Sequence, residues 1–363
     1  MSRALPSAPS RSPRARRTSS RVSPFALLTM MVTILAVTGI GCPCVRAPVN
    51  ASESLRWWLF SNFGASKVCP EMLKRGMPLK LDALGPSSLG RVFPEQCNVQ
   101  TNDAAHTIVM TAAGHGYAVL PLTRRVGFTF RVAVEFRPDF RLESDSTYVW
   151  GRFSQLMAPP ELRIVGVENP IVNLATQTPL GSLGNVLGQG VISSEIARGF
   201  TVVRQSDGDD FTLGILSPPQ KPKRAFQPGD DRTQLATDSI ELGGSTREFL
   251  GPFTVDSKDS AIFVKLRVAG AAVDYTFVDK MLGDAWLANY EQALPLGPAP
   301  GVPIGFGNAV PGDATRYVAV RPGRYYVVVE NRAAAPVAPL GVALPFGETK
   351  AQVSYSIEIG DKP

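Results

Sequence analysis

The eleven residues VGFTFRVAVEF, 126–136, constrain the fold more than any other stretch of the chain. Val126, Phe128, Phe130, Val132, Val134 and Phe136 fall on one face of an extended strand, and Gly127, Thr129, Arg131, Ala133 and Glu135 on the other. Strand side chains alternate with period two, whereas an amphipathic helix repeats every three to four residues. One apolar and one mostly polar face predicts an antiparallel sheet with a single covered side. HTIVMTAAGHGYAVL before the run, and STYVWGRFSQL and ELRIVGVEN after it, supply neighbouring strands.

A cover for that sheet follows in NPIVNLATQTPLGSLGNVLGQGVISSEIARGF. Leu180, Leu183, Leu187 and Val191 line one helical stripe, interrupted by Gly184, Gly188 and Gly190. Each glycine costs a helix about 1 kcal/mol relative to alanine, so this many imply close approach to the sheet or to a ligand. Residues 53–216 therefore read as an α+β domain, an antiparallel sheet covered by a Gly-rich helix. Phe128, Phe130, Phe136, Leu180, Leu183, Leu187 and Val191 then form either a dry core or a hydrophobic groove of the kind lipid carriers use. The domain opens with SESLRWWLFSNFG, a helix that Gly64 should end. PEMLKRG should be a second short helix, with Pro70 in its first turn and Gly76 at its end. GFTVVRQSDGDDFTLGIL closes the domain as a hairpin turning at Asp207-Gly208.

Residues 217–242, beginning SPPQKPKRAFQPGDDRTQ, are rich in proline and charge and read as a linker. Residues 243–363 predict a second, all-β domain. AIFVKLRV, AVDYTFV, RYVAVRPGRYYVVVEN and AQVSYSIEI alternate as strands, and DKMLGDAWLANYEQ reads as a short helix capped by Asp279. Short strands with Gly/Pro turns predict a β-sandwich. GRYYVVVEN followed by VSYSIEI resembles the bacterial pre-peptidase C-terminal-like domains, which place a G-x-Y-x-V-x-V strand before a last Tyr-containing strand. That resemblance implies a jelly-roll-like sandwich and an accessory role beside secreted enzymes.

The N-terminus carries six arginines and no acidic residue in its first 23 positions, followed by the uncharged run FALLTMMVTILAVTGI, Phe25 to Ile40. Basic flank, apolar run and small residues make an export signal. Gly41-Cys42 resembles the end of a bacterial lipoprotein signal, in which the cysteine is acylated and becomes the new N-terminus. Gly39 departs from the aliphatic residue that family prefers there. Three fates stay open for residues 1–41: removal with lipid attached at Cys42, removal without lipid, or retention as an anchor. Residues 42–52 would then be a tether. The leader holds six of the 37 basic side chains and none of the 31 acidic ones, so the remainder balances at 31 of each. A neutral body has no electrostatic footprint for nucleic acid.

Cys69 and Cys97 would lie beyond the cytoplasm, where they form either a disulfide or two buried thiols, with the bridge favoured. Histidines are only two, His106 and His115, and no close cysteine pair accompanies them, so no metal site is expected. His115, between Gly114 and Gly116, is the one suggestive histidine, read as a strand residue at a bulge. No G-x-S-x-G, H-E-x-x-H, Walker or G-x-G-x-x-G pattern occurs. The expectation is an exported, lipid-anchored cell-envelope protein with a non-catalytic binding or structural role and no cofactor. It would attach to the extracytoplasmic side of a membrane through its N-terminal lipid or helix. Its partner would be an envelope protein or a lipid. A hydrophobic-ligand carrier and a secreted hydrolase accessory protein are the alternatives.

Overall fold

The computed structural model describes residues 43–80, 88–120, 124–169, 193–206, 208–221, 224–333 and 349–363. The leader 1–41, Cys42, Asp207 and the stripe Leu180, Leu183, Leu187 and Val191 lie outside the described residues. The described chain is mostly β. Three helices open it: α1 (Pro43–Ala51), α2 (Glu53–Leu59) and α3 (Ala65–Met72). The strands that follow are β1 (Met77–Lys80), β2 (Ser88–Asn102), β3 (Thr107–Leu120), β4 (Arg124–Leu142) and β5 (Ser146–Val167). A short helix, α4 (Ser193–Ala197), precedes β6 (Phe200–Gln205) and β7 (Gly208–Leu213). Then come β8 (Thr233–Leu242), β9 (Thr246–Val255), β10 (Ser260–Gly270) and β11 (Val273–Asp279). Helix α5 (Lys280–Glu291), β12 (Gly305–Ala309), β13 (Gly312–Ala319), β14 (Gly323–Asn331) and β15 (Ala351–Asp361) complete the order.

One sheet runs β1-β2-β3-β4-β5-β6-β7-β8-β15-β10-β13, and a second runs β12-β11-β14-β9. The alternation in 126–136 sits at the centre of β4. Phe128, Phe130, Val132, Val134 and Phe136 are all buried in a core with Trp57, Phe60 and Ala65 from the opening helices. STYVWGRFSQL and ELRIVGVEN are one continuous strand, β5, whose pairing with β4 is broken by several register shifts. A second core, built from Ile240, Leu250, Phe253, Ile262, Leu266, Phe277, Val327, Val353 and Ile357, fills the space between the four-stranded sheet and the β8–β15–β10 part of the large one.

Four local expectations are corrected. Gly64 does not end its helix. The chain winds into a π-helical turn, Phe60–Gly64, where Ala65 N–H donates to Phe60 O, and continues directly as α3. The bare Gly64 Cα makes room for the Phe60 ring: a Cβ there would lie 2.8 Å from Phe60 Cδ2. Pro70 accordingly sits inside α3 rather than in a first turn. Next to it, Cys69 is bonded to Cys97 of β2, with Cα atoms 5.4 Å apart, which ties the helix to the sheet. The expected linker is only half linker. Residues 233–242 are β8, paired along β15 from Thr233–Ile359 to Leu242–Ala351. The expected tether is helical over Pro43–Ala51. Val49 is buried, and Asn50 exchanges two hydrogen bonds with the Leu142 backbone at 2.8 and 3.0 Å.

Residues 42–363 form one compact unit. Their large sheet is continuous between β7 and β8 through a single parallel bridge, Gly208 to Gln234. Side chains carry the rest of the junction. The register aligns Arg91 of β2, Tyr117 of β3, Gly127 of β4 and Gly166 of β5 in one cross-strand row. Side chains in such a row share a face of the sheet. The row falls from two large side chains to none, which leaves a recess over β4 and β5. The C-terminus of α5 fills that recess. A Cβ on Gly127 would stand 1.9 Å from Glu291 O, and one on Gly166 2.4 Å from the Gln292 carbonyl carbon. The face that the sequence presents as mostly wet is therefore covered at this end. Gly127→Ala should destabilise the protein by about 1–3 kcal/mol or more, the range for overpacking against an unyielding neighbour. Urea unfolding measures it, and a neutral result would show that α5 is not seated there.

Candidate functional site

Around α5, the chain assembles its most polar interior. The helix forms because Asp279 caps it, its Oδ1 accepting from Leu282 N at 2.9 Å, and because Trp286, Leu287 and Tyr290 fall on one buried face. That face packs with Phe93 and Tyr117 from one side and Phe249, Tyr326 and Val328 from the other. These residues come from β2, β3, β9 and β14, so α5 is shared between the sheets.

On the β2 side of the helix lies a desolvated ion pair. Arg91 and Glu248 are both buried, and Arg91 Nε donates to Glu248 Oε1 at 2.8 Å. Arg91 Nη1 donates to Gly76 O at 2.9 Å, and Nη2 approaches the Tyr355 hydroxyl at 3.4 Å. The second carboxylate oxygen accepts from the Tyr117 hydroxyl at 2.9 Å, which itself accepts from Phe249 N at 3.1 Å. Burial alone would lower the Arg91 value, but Glu248, Tyr355 and Tyr117 together outweigh it and hold the guanidinium charged. Burial, then Glu248, pushes the Tyr117 phenol well up, so it stays protonated and donates. Removing one member of a buried pair typically costs about 3–5 kcal/mol, because the other charge is stranded. Arg91→Met should lose about that much in urea unfolding. Arg91→Met with Glu248→Gln should recover a large part, since the amide is neutral and can still accept from Tyr117. Equal losses in single and double variants would contradict the assignment.

At the end of α5, His115 Nδ1 lies 2.6 Å from Glu291 Oε1. The His115 ring also stacks on Phe93, and Glu95 stands 3.8 Å from Nε2. Burial lowers the His115 value, but hydrogen bonding and charge from Glu291 more than reverse this, and it ends above its ordinary range. Burial raises Glu291 against the pull of His115. His115 therefore holds its proton more firmly than in the unfolded chain, and Glu291 takes up a proton of its own at higher pH than an exposed carboxyl would. Groups with raised folded values stabilise below their unfolded values and lose that contribution as pH rises through the folded ones. Thermal stability should therefore fall as pH climbs from about 6.5, the ordinary histidine value, through the higher folded one. His115→Gln should flatten the slope, and an unchanged slope would exclude the pair as its source.

Beyond Glu291 the chain turns sharply. Ala293 adopts φ +56°, the left-handed region usually left to glycine. The turn carries Leu294–Pro298 back over the helix and walls one side of a half-open cavity of about 300 Å³. Arg125, Arg247, Trp286, Asn289 and Tyr290 line it, with residues 294–298 of the loop. Arg125 Nη2 donates to Leu294 O at 2.7 Å, and Arg247 Nη2 to Gly297 O at 2.5 Å and Glu330 Oε1 at 2.8 Å. Each guanidinium lies over a ring: Arg125 is 4.4 Å from the Tyr290 centroid, and Arg247 is 4.7 Å from that of Trp286. Burial pushes the Tyr290 phenol up to about 12, and its hydroxyl accepts from Arg247 N at 3.2 Å. Arg125 Nε, Arg247 Nε and Trp286 Nε1 are buried with no hydrogen-bond partner. The cavity wall thus has surplus donors, and two of its loop carbonyls, Leu294 O and Gly297 O, are already engaged.

The residues expected from sequence are distributed differently. Cys69 and Cys97 form the disulfide. Phe128, Phe130 and Phe136 lie in the core beneath α2 and α3, on a different face of β4 from Gly127 and α5. Leu180, Leu183, Leu187 and Val191 lie outside the described residues, as does Cys42. His115 joins the α5 junction through a partner 176 positions away, which no local pattern announces. Arg125 and Arg247 begin strands and carry no sequence signal beyond ordinary flanking charge. Trp286 and Tyr290 are legible only as one apolar helix face. The chain matches no protein-family model and no curated protein.

Proposed function

We propose that this chain is an exported, lipid-anchored protein of the cell envelope whose folded body serves a non-catalytic binding or structural role. The carrying observation is the Cys69–Cys97 bond, because disulfides persist chiefly in oxidising compartments outside the cytoplasm. Two sequence features agree with it: the arginine-led apolar leader ending at Gly41-Cys42, and the exact balance of charge in the rest of the chain. The membrane is reached through the N-terminal lipid or helix. Among the described residues no helix is long and apolar enough to cross a bilayer. The partner is an envelope protein or a lipid, and the reading needs no nucleic acid or cofactor.

The division of labour we infer assigns β8–β15 to a sandwich domain like the pre-peptidase C-terminal-like modules, and the earlier strands to an α+β domain joined to it through α5. Buried Phe128, Phe130 and Phe136 among Trp57 and Phe60 favour ordinary core packing over a lipid-filled groove on that side of β4. Intact-mass measurement of the protein extracted from membranes tests the proposal. The expected species begins at residue 42, carries acyl chains and is two hydrogens short of the reduced form. A full-length, fully reduced chain recovered from cytosol would overturn it.

A further inference from the structure

The cavity behind α5 has a chemistry that its structural partners do not exhaust. Its lining residues Arg125, Arg247 and Trp286 are all nine-tenths or more buried, and each keeps an N–H with no hydrogen bond, that of Arg125 standing 3.8 Å from Glu168 Oε2. The Nη1 groups of both arginines also make no hydrogen bond among the described residues. Buried polar groups are almost always satisfied, and a cluster of unsatisfied donors is suited to receive water or a ligand. A water accepts two hydrogen bonds, whereas a carboxylate offers roughly four acceptor positions. We propose that this cavity binds a small monocarboxylate with an apolar body.

Four observations select that ligand. First, the free groups are donors only. The nearby acceptors Leu294 O, Gly297 O and Glu330 Oε1 already accept from the arginines, and two guanidiniums in the wall repel a cation. Second, the guanidiniums are preorganised. Loop carbonyls fix one edge and the Tyr290 and Trp286 rings one face, and a planar fork of fixed orientation suits a planar carboxylate. Third, the charge allows one negative group and not two. Arg247 is paired with Glu330, and Arg125 stands 3.8 Å from Glu168, which is partly exposed and therefore screened. The net excess of positive charge is small, which disfavours a phosphate dianion. Fourth, apart from Asn289 and Gly297 the remaining wall is leucine and proline, and about 300 Å³ is at the lower end of ligand sites. The left-handed Ala293 that brings this loop over the arginines is a non-glycine residue held in a costly conformation. The inference does not depend on where the protein resides, so its failure would leave the envelope proposal standing.

The test follows the indole N–H of Trp286 by nitrogen–proton correlation in the full chain, with Trp286→Phe identifying the signal. Benzoate and butyrate are the probes, inorganic phosphate the charge control and tetramethylammonium the cation control. Benzoate should shift that signal saturably with Kd on the order of 1 mM, a modest affinity suited to so small a ligand. Phosphate and tetramethylammonium should leave it unmoved. Calorimetry on Trp286→Phe, which keeps the ring and loses the donor, should show benzoate binding weakened roughly tenfold. Arg247→Lys keeps the charge and loses the fork, and should weaken binding at least as much with an unchanged fold by circular dichroism. An unmoved Trp286 signal at saturating benzoate would overturn the proposal, leaving the cavity to water. An equal response to phosphate, or Trp286→Phe binding benzoate as tightly as the parent, would overturn it as well.

Discussion

A guanidinium and a carboxylate with almost no access to water, Arg91 and Glu248, set the terms for the interior of this protein. Neither can leave the other: an ion transferred from water to a protein interior loses several kcal/mol of solvation even after relaxation, and only a close, hydrogen-bonded partner offsets it. Because Arg91 belongs to β2 and Glu248 to β9, this requirement acts between two sheets. Tyr117, Tyr355 and the Gly76 carbonyl complete the hydrogen bonding. The pair can exist only if β2, β3, β9 and β15 converge, and that convergence creates the slot into which α5 fits. Hydrophobic contact gives the junction its adhesion. The ion pair gives it a single register, because a one-residue slip would turn Arg91 to the opposite face.

Helix α5 carries that register across to the longest strands. Its apolar face supplies Trp286, Leu287 and Tyr290 to the shared core, and its last carbonyls rest on Gly127 and Gly166. The same cross-strand row therefore holds the charged anchor at one end and the bare seat at the other. His115, on the adjacent row opposite Phe93, reaches the helix end from below. The cavity arises where the helix stops and the chain must return over its own C-terminus.

Much of the local structure was readable before any coordinates. The alternation of β4, the Asp279 cap and the β6–β7 hairpin follow from short-range chemistry, and the Cys69–Cys97 bridge is the favoured of two readings once both cysteines are placed beyond the cytoplasm. What escaped is instructive. Gly127 reads as one small residue on a polar face, because nothing nearby says that a helix 160 residues later will press on it. Gly64 and Pro70 read as helix boundaries by local preference, and packing of the Phe60 ring together with the disulfide overrides both. TQLATDSIEL reads as linker because its alternation is mostly Thr, Ala and Ser. It becomes a strand because β15 offers it an edge along its whole length. The arginines of the cavity were invisible for the same reason as His115: their meaning lies in partners distant in sequence.

One feature near the start of the described chain bears on how such a protein would stand on a surface. Helix α1 begins at Pro43, immediately after the cysteine proposed to carry lipid, and Asn50 clamps it to the end of β4. A single residue spans under about 4 Å, so almost no slack separates the acyl attachment point from rigid protein. Were the proposed lipid attached there, the body would have little play about its anchor, and its reach into the surrounding space would be set by its own dimensions.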